Sequence, residues 1–223
     1  MKRPTLPVLA ALSATAAVLL TACSSEDRKS NDIDSSAVAE HGATKARESA
    51  GPSTAPAGDK PDGVDVSLPK NIDLVFDWKK PKKPNEAAAM EDAANFFRAL
   101  YRGVDKRTTK DAAVTTYATG DGLHYADTQI NAWIDGGWTA LGTLRHYDVT
   151  TRSAPNGKSV EVAFCADSGK FFGQEVKSKK ILETTPSIED FDYFRIVMVK
   201  SPLGEDLWQA SKVFVEPRAA KCQ

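Results

Sequence analysis

From Asn85 to the last residue the hydrophobic period changes once, at Gly136-Gly137, and that change constrains the fold more than any other feature. Before it, apolar residues recur at spacings of three and four; after it they recur at two. From Asn85 onward, Met90, Ala93, Ala94, Phe97, Leu100, Tyr101 and Val104 fall on one stripe, the spacing of a helix with a single buried face. Asn85 is placed to cap this helix, Glu86 suits its first turn, and Gly103 lies near its end. A shorter helix is expected over Thr109 to Ala118, capped by Thr108 or Thr109, with Ala113, Val114 and Tyr117 facing inward. A third follows Thr119-Gly120-Asp121. It carries Leu123, Ala126, Ile130, Trp133 and Ile134 on its stripe, and Gly136-Gly137 can end it through a left-handed residue.

Beyond Trp138 the pattern is that of strands. Thr143 to Thr151 and Ser159 to Ala166 flank the turn signal Pro155-Asn156-Gly157 and read as a hairpin, with Val160, Val162 and Phe164 on one face. Further runs cover Lys170 to Val176, Lys180 to Thr185, Tyr193 to Lys200 and Leu207 to Glu216. Helices grouped ahead of strands, rather than alternating with them, predict an α+β domain over residues 85–223: three helices packed on an antiparallel sheet. An extended arm and basic connector precede it over residues 63–84. Ile72, Leu74, Phe76 and Trp78 alternate there with other residues, giving a strand or arm over Asn71 to Trp78. The four lysines of Lys79-Lys80-Pro81-Lys82-Lys83-Pro84 read as a solvated turn, with contact to anionic lipid or wall polymer as the alternative.

Residues 24–62 contain no Phe, Trp, Tyr or Leu. Such a stretch cannot bury enough apolar surface to offset its ordering entropy, so it is expected to be a disordered tether, spanning on the order of 35 Å as a flexible coil. Ahead of it, Met1-Lys2-Arg3 and the apolar run Leu6 to Leu20 form an export signal over residues 1–22, too short for a comfortable membrane span. Its end, Leu20-Thr21-Ala22-Cys23, resembles the bacterial lipobox. That resemblance implies cleavage before Cys23, diacylglycerol on its thiol, acylation of the palmitate kind, and residence on the outer face of a cell membrane; two or more chains hold such an anchor stably. Two cysteines then remain, Cys165 and Cys222. In an oxidising compartment they are expected to pair as a disulfide, the alternative being two free thiols.

Three helices, long, short and medium, followed by a strongly curved antiparallel sheet resemble the nuclear transport factor 2-like or ketosteroid isomerase-like cone. Nearly all of the mature chain also resembles a group of small actinobacterial secreted lipoproteins. The residues that carry this second likeness are Leu68-Pro69, Leu74-Val75-Phe76-Asp77-Trp78, Tyr117-Ala118-Thr119-Gly120-Asp121, Tyr147-Asp148, Phe164-Cys165-Ala166-Asp167 with Lys170, Trp208, and Lys221-Cys222-Gln223. The likenesses imply a cone and bring no activity with them. A cone leaves a cavity between helices and sheet, and Tyr101, Tyr117, Trp133, Trp138, Tyr147 and Trp208 are its candidate lining. A plain packed core accounts for the same six residues.

For catalysis as in the isomerases, a carboxylate must meet tyrosine donors inside the cone. Asp127, Asp167, and Asp192 or Tyr193 are candidates, though none falls in a matching motif, and Asp167 reads better as a strand-end turn residue. His41, His124 and His146 are too dispersed for a zinc site, and no nucleophile elbow, phosphate loop or dinucleotide fingerprint occurs. No cofactor or metal is expected. A formal net charge of -1 offers nucleic acid no electrostatic footprint. The expected function is therefore a membrane-held binding module whose partner is an envelope protein or a small apolar ligand. A small cofactor-free isomerase or cyclase using the cavity is the alternative.

Overall fold

The computed structural model of the chain describes residues 60–204 and 206–223. The expectations for the export signal, for Cys23 and for the tether up to residue 59 lie outside the described residues. The chain enters along the arm to strand β1 (Ile72–Phe76), then helices α1 (Pro84–Lys106), α2 (Ala112–Tyr117) and α3 (Gly120–Asp135). Strands β2 (Trp138–Ser153), β3 (Ser159–Glu175), β4 (Ile181–Leu182), β5 (Phe191–Lys200) and β6 (Trp208–Pro217) complete it. The result is α+β: three helices on an open, six-stranded sheet in the order β1-β2-β3-β5-β6, with the short β4 on β3.

The helices form where their stripes place them, with caps that differ from the expected ones. Pro84, not Asn85, opens α1, and Lys83 occupies the cap position without a side-chain capping bond; proline suits the first turn because its missing N–H has no helical acceptor there. Glu86 instead ties this helix end to the sheet, accepting from the Ser153 amide at 3.2 Å, the Ser153 hydroxyl at 2.9 Å and Thr151 Oγ1 at 3.1 Å. α2 is capped by Asp111, whose carboxylate accepts from the Ala113 amide at 3.0 Å, rather than by Thr108 or Thr109. Arg107 leaves α1 in the left-handed region at φ 54°. Its guanidinium donates to the carbonyls of Ile134 at 2.9 Å and Trp138 at 3.1 Å, satisfying the end of α3.

The sheet is not wholly antiparallel. β1 runs parallel to β2, with Ile72 opposite Gly142 and Phe76 opposite His146. The three helices lie between these strands in sequence, and a connection that long permits a parallel crossover. The arm is thus part of the core: Val66, Ile72 and Trp78 are buried with it. The remaining principal pairings are antiparallel, and the expected runs Ser159 to Ala166 and Lys170 to Val176 belong to one long β3.

β2 and β3 pair through two register shifts, at Thr143/Arg145 and Tyr147/Thr150. Such irregularities bend strands. At the bend Gly142 adopts φ +96°, and a Cβ there would lie 2.1 Å from the Lys170 carbonyl oxygen; only glycine admits that approach. The helix-facing side of the sheet packs Val160, Val162, Phe164, Ile196 and Met198 against Phe96, Phe97, Val104 and Ile130, all buried. The opposite side carries a small second cluster, Cys165, Ala219 and Cys222.

Candidate functional site

The six aromatic residues expected to line a cavity do not share one place. Tyr117 and Trp208 are 0% and 1% exposed and belong to the packed core. A third departure is Tyr147, which lies on the sheet face away from the helices, against the Cys165–Cys222 cluster, and donates its hydroxyl to the Cys222 carbonyl. Trp138 starts β2 and folds its ring over Gly136. Tyr101 and Trp133 do come together. Their rings lie 6.4 Å apart, and Phe171 of β3 packs 4.9 Å from Tyr101 and 6.4 Å from Trp133, all edge to face.

Polar groups gather beside this aromatic wall. Burial, and then the nearby Asp192 carboxylate, raise the pKa of Tyr101. Tyr125 of α3 is raised likewise, by burial first, then by Tyr101 and Asp192. The three residues therefore occupy one electrostatic neighbourhood, although they come from α1, α3 and the start of β5. Each keeps partial exposure, so the cluster is desolvated yet within reach of solvent. Both tyrosines remain protonated donors at neutral pH.

Side-chain alternation explains why Asp192 reaches this place. Phe194, Ile196 and Met198 are the buried residues of β5, so Asp192 shares their helix-facing side. Tyr193 points the other way, and the Lys221 ammonium sits 3.5 Å from its ring centre. Of the other candidate carboxylates, Asp127 lies two residues from Tyr125 and thus on a different face of α3. Asp167 accepts from the Gly169 amide at 2.8 Å, a local turn within β3. Tyr125 escaped the sequence reading because it flanks the main α3 stripe; the signal was the i, i+4, i+8 series Tyr125, Gln129, Trp133.

Cys165 and Cys222 form a disulfide, their Cα atoms 5.4 Å apart. His124 is exposed, and His146 is wholly buried. Among the described residues no group of three or more His, Cys, Asp or Glu side chains is placed to hold a metal ion, and no helix is long and apolar enough to cross a membrane.

No family model matches the chain, and no curated protein matches it. Among solved structures it is similar to the protein Aln2 from a Streptomyces species, at 12% identity over 57% of this chain and 88% of that one, TM-score 0.39. A protein from Catenulispora acidiphila is similar at 12% identity, over 59% and 92%, TM-score 0.39. A candidate ketosteroid isomerase from Shewanella frigidimarina is similar at 16% identity, over 59% and 97%, TM-score 0.33. Likenesses at these scores carry no statement about activity.

Proposed function

We propose that this chain is an extracytoplasmic lipoprotein, anchored through lipid on Cys23, whose folded part is a ketosteroid isomerase-like cone that binds a small molecule. The ligand has an apolar body and one hydrogen-bonding group. The observation that carries the binding half is the packing of Tyr101 with Trp133 and Phe171, in a buried electrostatic neighbourhood that Tyr101 shares with Tyr125 and Asp192. Aromatic walls supply affinity while a few polar groups fix orientation, which is the composition of a small-ligand site. Two hydroxyl donors and a carboxylate suit a phenol, an alcohol or a ketone on a flat hydrocarbon frame. The anchoring half rests on Leu20-Thr21-Ala22-Cys23 after an apolar run, and fractionation of a Cys23→Ala chain tests it.

The binding half is tested with 2-naphthol, an aromatic frame bearing one hydroxyl, and with naphthalene as its apolar counterpart, followed by tryptophan fluorescence. Tyr101→Phe and Asp192→Asn are each expected to weaken 2-naphthol by about tenfold, the worth of one hydrogen bond to a charged or desolvated group, and to leave naphthalene unchanged. If 2-naphthol does not bind, or if the variants bind it as the parent does, the reading is wrong.

A cofactor-free isomerase is the second reading, favoured by the same pairing of carboxylate and tyrosines. Asp192 would take a proton from the carbon beside a carbonyl, the electron pair moving onto oxygen, while Tyr101 and Tyr125 donate hydrogen bonds to the enolate oxygen. Asp192-dependent exchange of the α-protons of cyclohexanone for deuterium supports catalysis. Binding of 2-naphthol without such exchange leaves the binding module.

A further inference from the structure

β6 is an edge strand whose outer side is only partly covered. Among the described residues it pairs with β5, and beyond that the start of α3 covers its first half: Ala118 bridges Ala210, the Thr119 amide donates to the Ala210 carbonyl, and Gly122 lies against Ala210 and Ser211. From Lys212 to Glu216 no described strand lies on the outer side. Phe214 and Val215 are 46% and 37% exposed there. An apolar, unpaired edge is a feature that proteins usually blunt or use.

The uncovered residues are Lys212-Val213-Phe214-Val215-Glu216. Their side chains are symmetric in shape about Phe214 and opposite in charge at the ends. An antiparallel pair centred on Phe214 sets Phe214 against its own copy, Val213 against Val215, and Lys212 against Glu216 twice. Alternation puts Lys212, Phe214 and Glu216 on one face of the sheet, the face away from the helices, where Arg195 lies 5.1 Å from the Phe214 ring centre. The same register opposes Ser211, where α3 begins to cover the edge, to Pro217, which has no N–H to give. The uncovered length and the complementary length coincide. A parallel arrangement in register would oppose Lys212 to Lys212, and a slip by one residue would turn the two sets of faces against each other.

We infer that the protein forms a two-fold dimer by adding β6 to β6 of a second copy, joining two sheets into one. Lys212 and Glu216 each have an exposed partner within the chain, Asp121 at 3.8 Å and Lys221 at 2.7 Å; exposed pairs of this kind contribute little and exchange readily. A five-residue strand pair buries less area than a permanent dimer needs, so the association is weak and reversible.

Sedimentation velocity of the full chain in detergent, carried to high concentration, tests this on the parent, Lys212→Glu, Glu216→Lys and the double swap. Each single variant sets like charges against each other at both ends and is expected to weaken the dimer by about tenfold. The double swap restores opposite charges and the dimer. Circular dichroism confirms that each variant folds, as expected for exposed side chains. A monomeric parent, singles that associate like the parent, or a double swap that fails to recover would each overturn the inference.

Discussion

His146 and Asp92 are buried titratable side chains whose effects on stability oppose each other. His146 is wholly buried, stacked on Phe76 at 4.5 Å, with Nδ1 3.2 Å from the Val75 carbonyl. Burial pushes its pKa down to about 3. Its stabilising contribution is full above the unfolded value of 6.5 and is lost as pH falls toward 3. Asp92 accepts from the Trp208 amide at 2.8 Å and from Asn95 at 3.2 Å, and burial pushes its pKa up to about 7. Its contribution is full below 3.8 and is lost as pH rises through 7. Between about pH 4 and 6.5 the two slopes, each about 1.4 kcal/mol per pH unit, cancel. Asp92→Asn should leave His146 unopposed, so that stability to urea rises with pH across this window. His146→Phe should leave Asp92 unopposed, so that stability falls. A parent and two variants with the same pH dependence would contradict both assignments. Nothing in the sequence marked either residue: the stacking of His146 on Phe76 depends on the parallel pairing of β1 with β2, and the acceptance of the Trp208 amide by Asp92 joins residues 116 apart.

The elements are held to one another by contacts that local pattern does not encode. Gly122 lies where α3 crosses β6, and a Cβ there would meet the Ala210 carbonyl oxygen at 2.0 Å and its carbon at 2.6 Å. The obstacle is backbone, which cannot rotate aside. Gly122→Ala is therefore expected to lower the unfolding free energy by about 1–3 kcal/mol or more, as overpacking does, measured by chemical denaturation. Gly137→Ala meets nothing within 4 Å and should register only the strain of φ +71°, about 1 kcal/mol. Equal effects of the two would remove the close approach as the cause. Gly120-Asp121-Gly122 was legible as a helix start, but the packing role of its second glycine was not. In the same way Thr108, Thr109 and Asp111 are all good caps within four positions, and only the left-handed exit of Arg107 and the Arg102 guanidinium, 3.0 Å from Asp111, decide among them.

At the scale of the whole molecule, the disulfide fixes the C-terminus to the outer face of the sheet, closing a loop with a sequence separation of 57; on the chain-entropy model this is worth about 4 kcal/mol. That cross-link is consistent with the proposed exported location. Cys23→Ala should abolish processing at residue 23 or release the domain from the membrane fraction without altering its circular dichroism. Unchanged processing and unchanged retention would refute the anchor. The sequence by itself determined the order of helices and strands and the hairpin, and made two distant cysteines the expected pair. Those follow from period, turn residues and cysteine arithmetic, which are local or countable. Tertiary structure decided the rest. It placed β1 parallel to β2, sent Tyr117 and Trp208 into the core and Tyr147 to the far face, and set Tyr101, Tyr125 and Asp192 of three elements in one electrostatic neighbourhood. It also left Lys212 to Glu216, among the described residues, without a strand on the outer side. A site or an edge depends on which faces meet across the fold, and the spacing along one segment fixes only that segment's own faces.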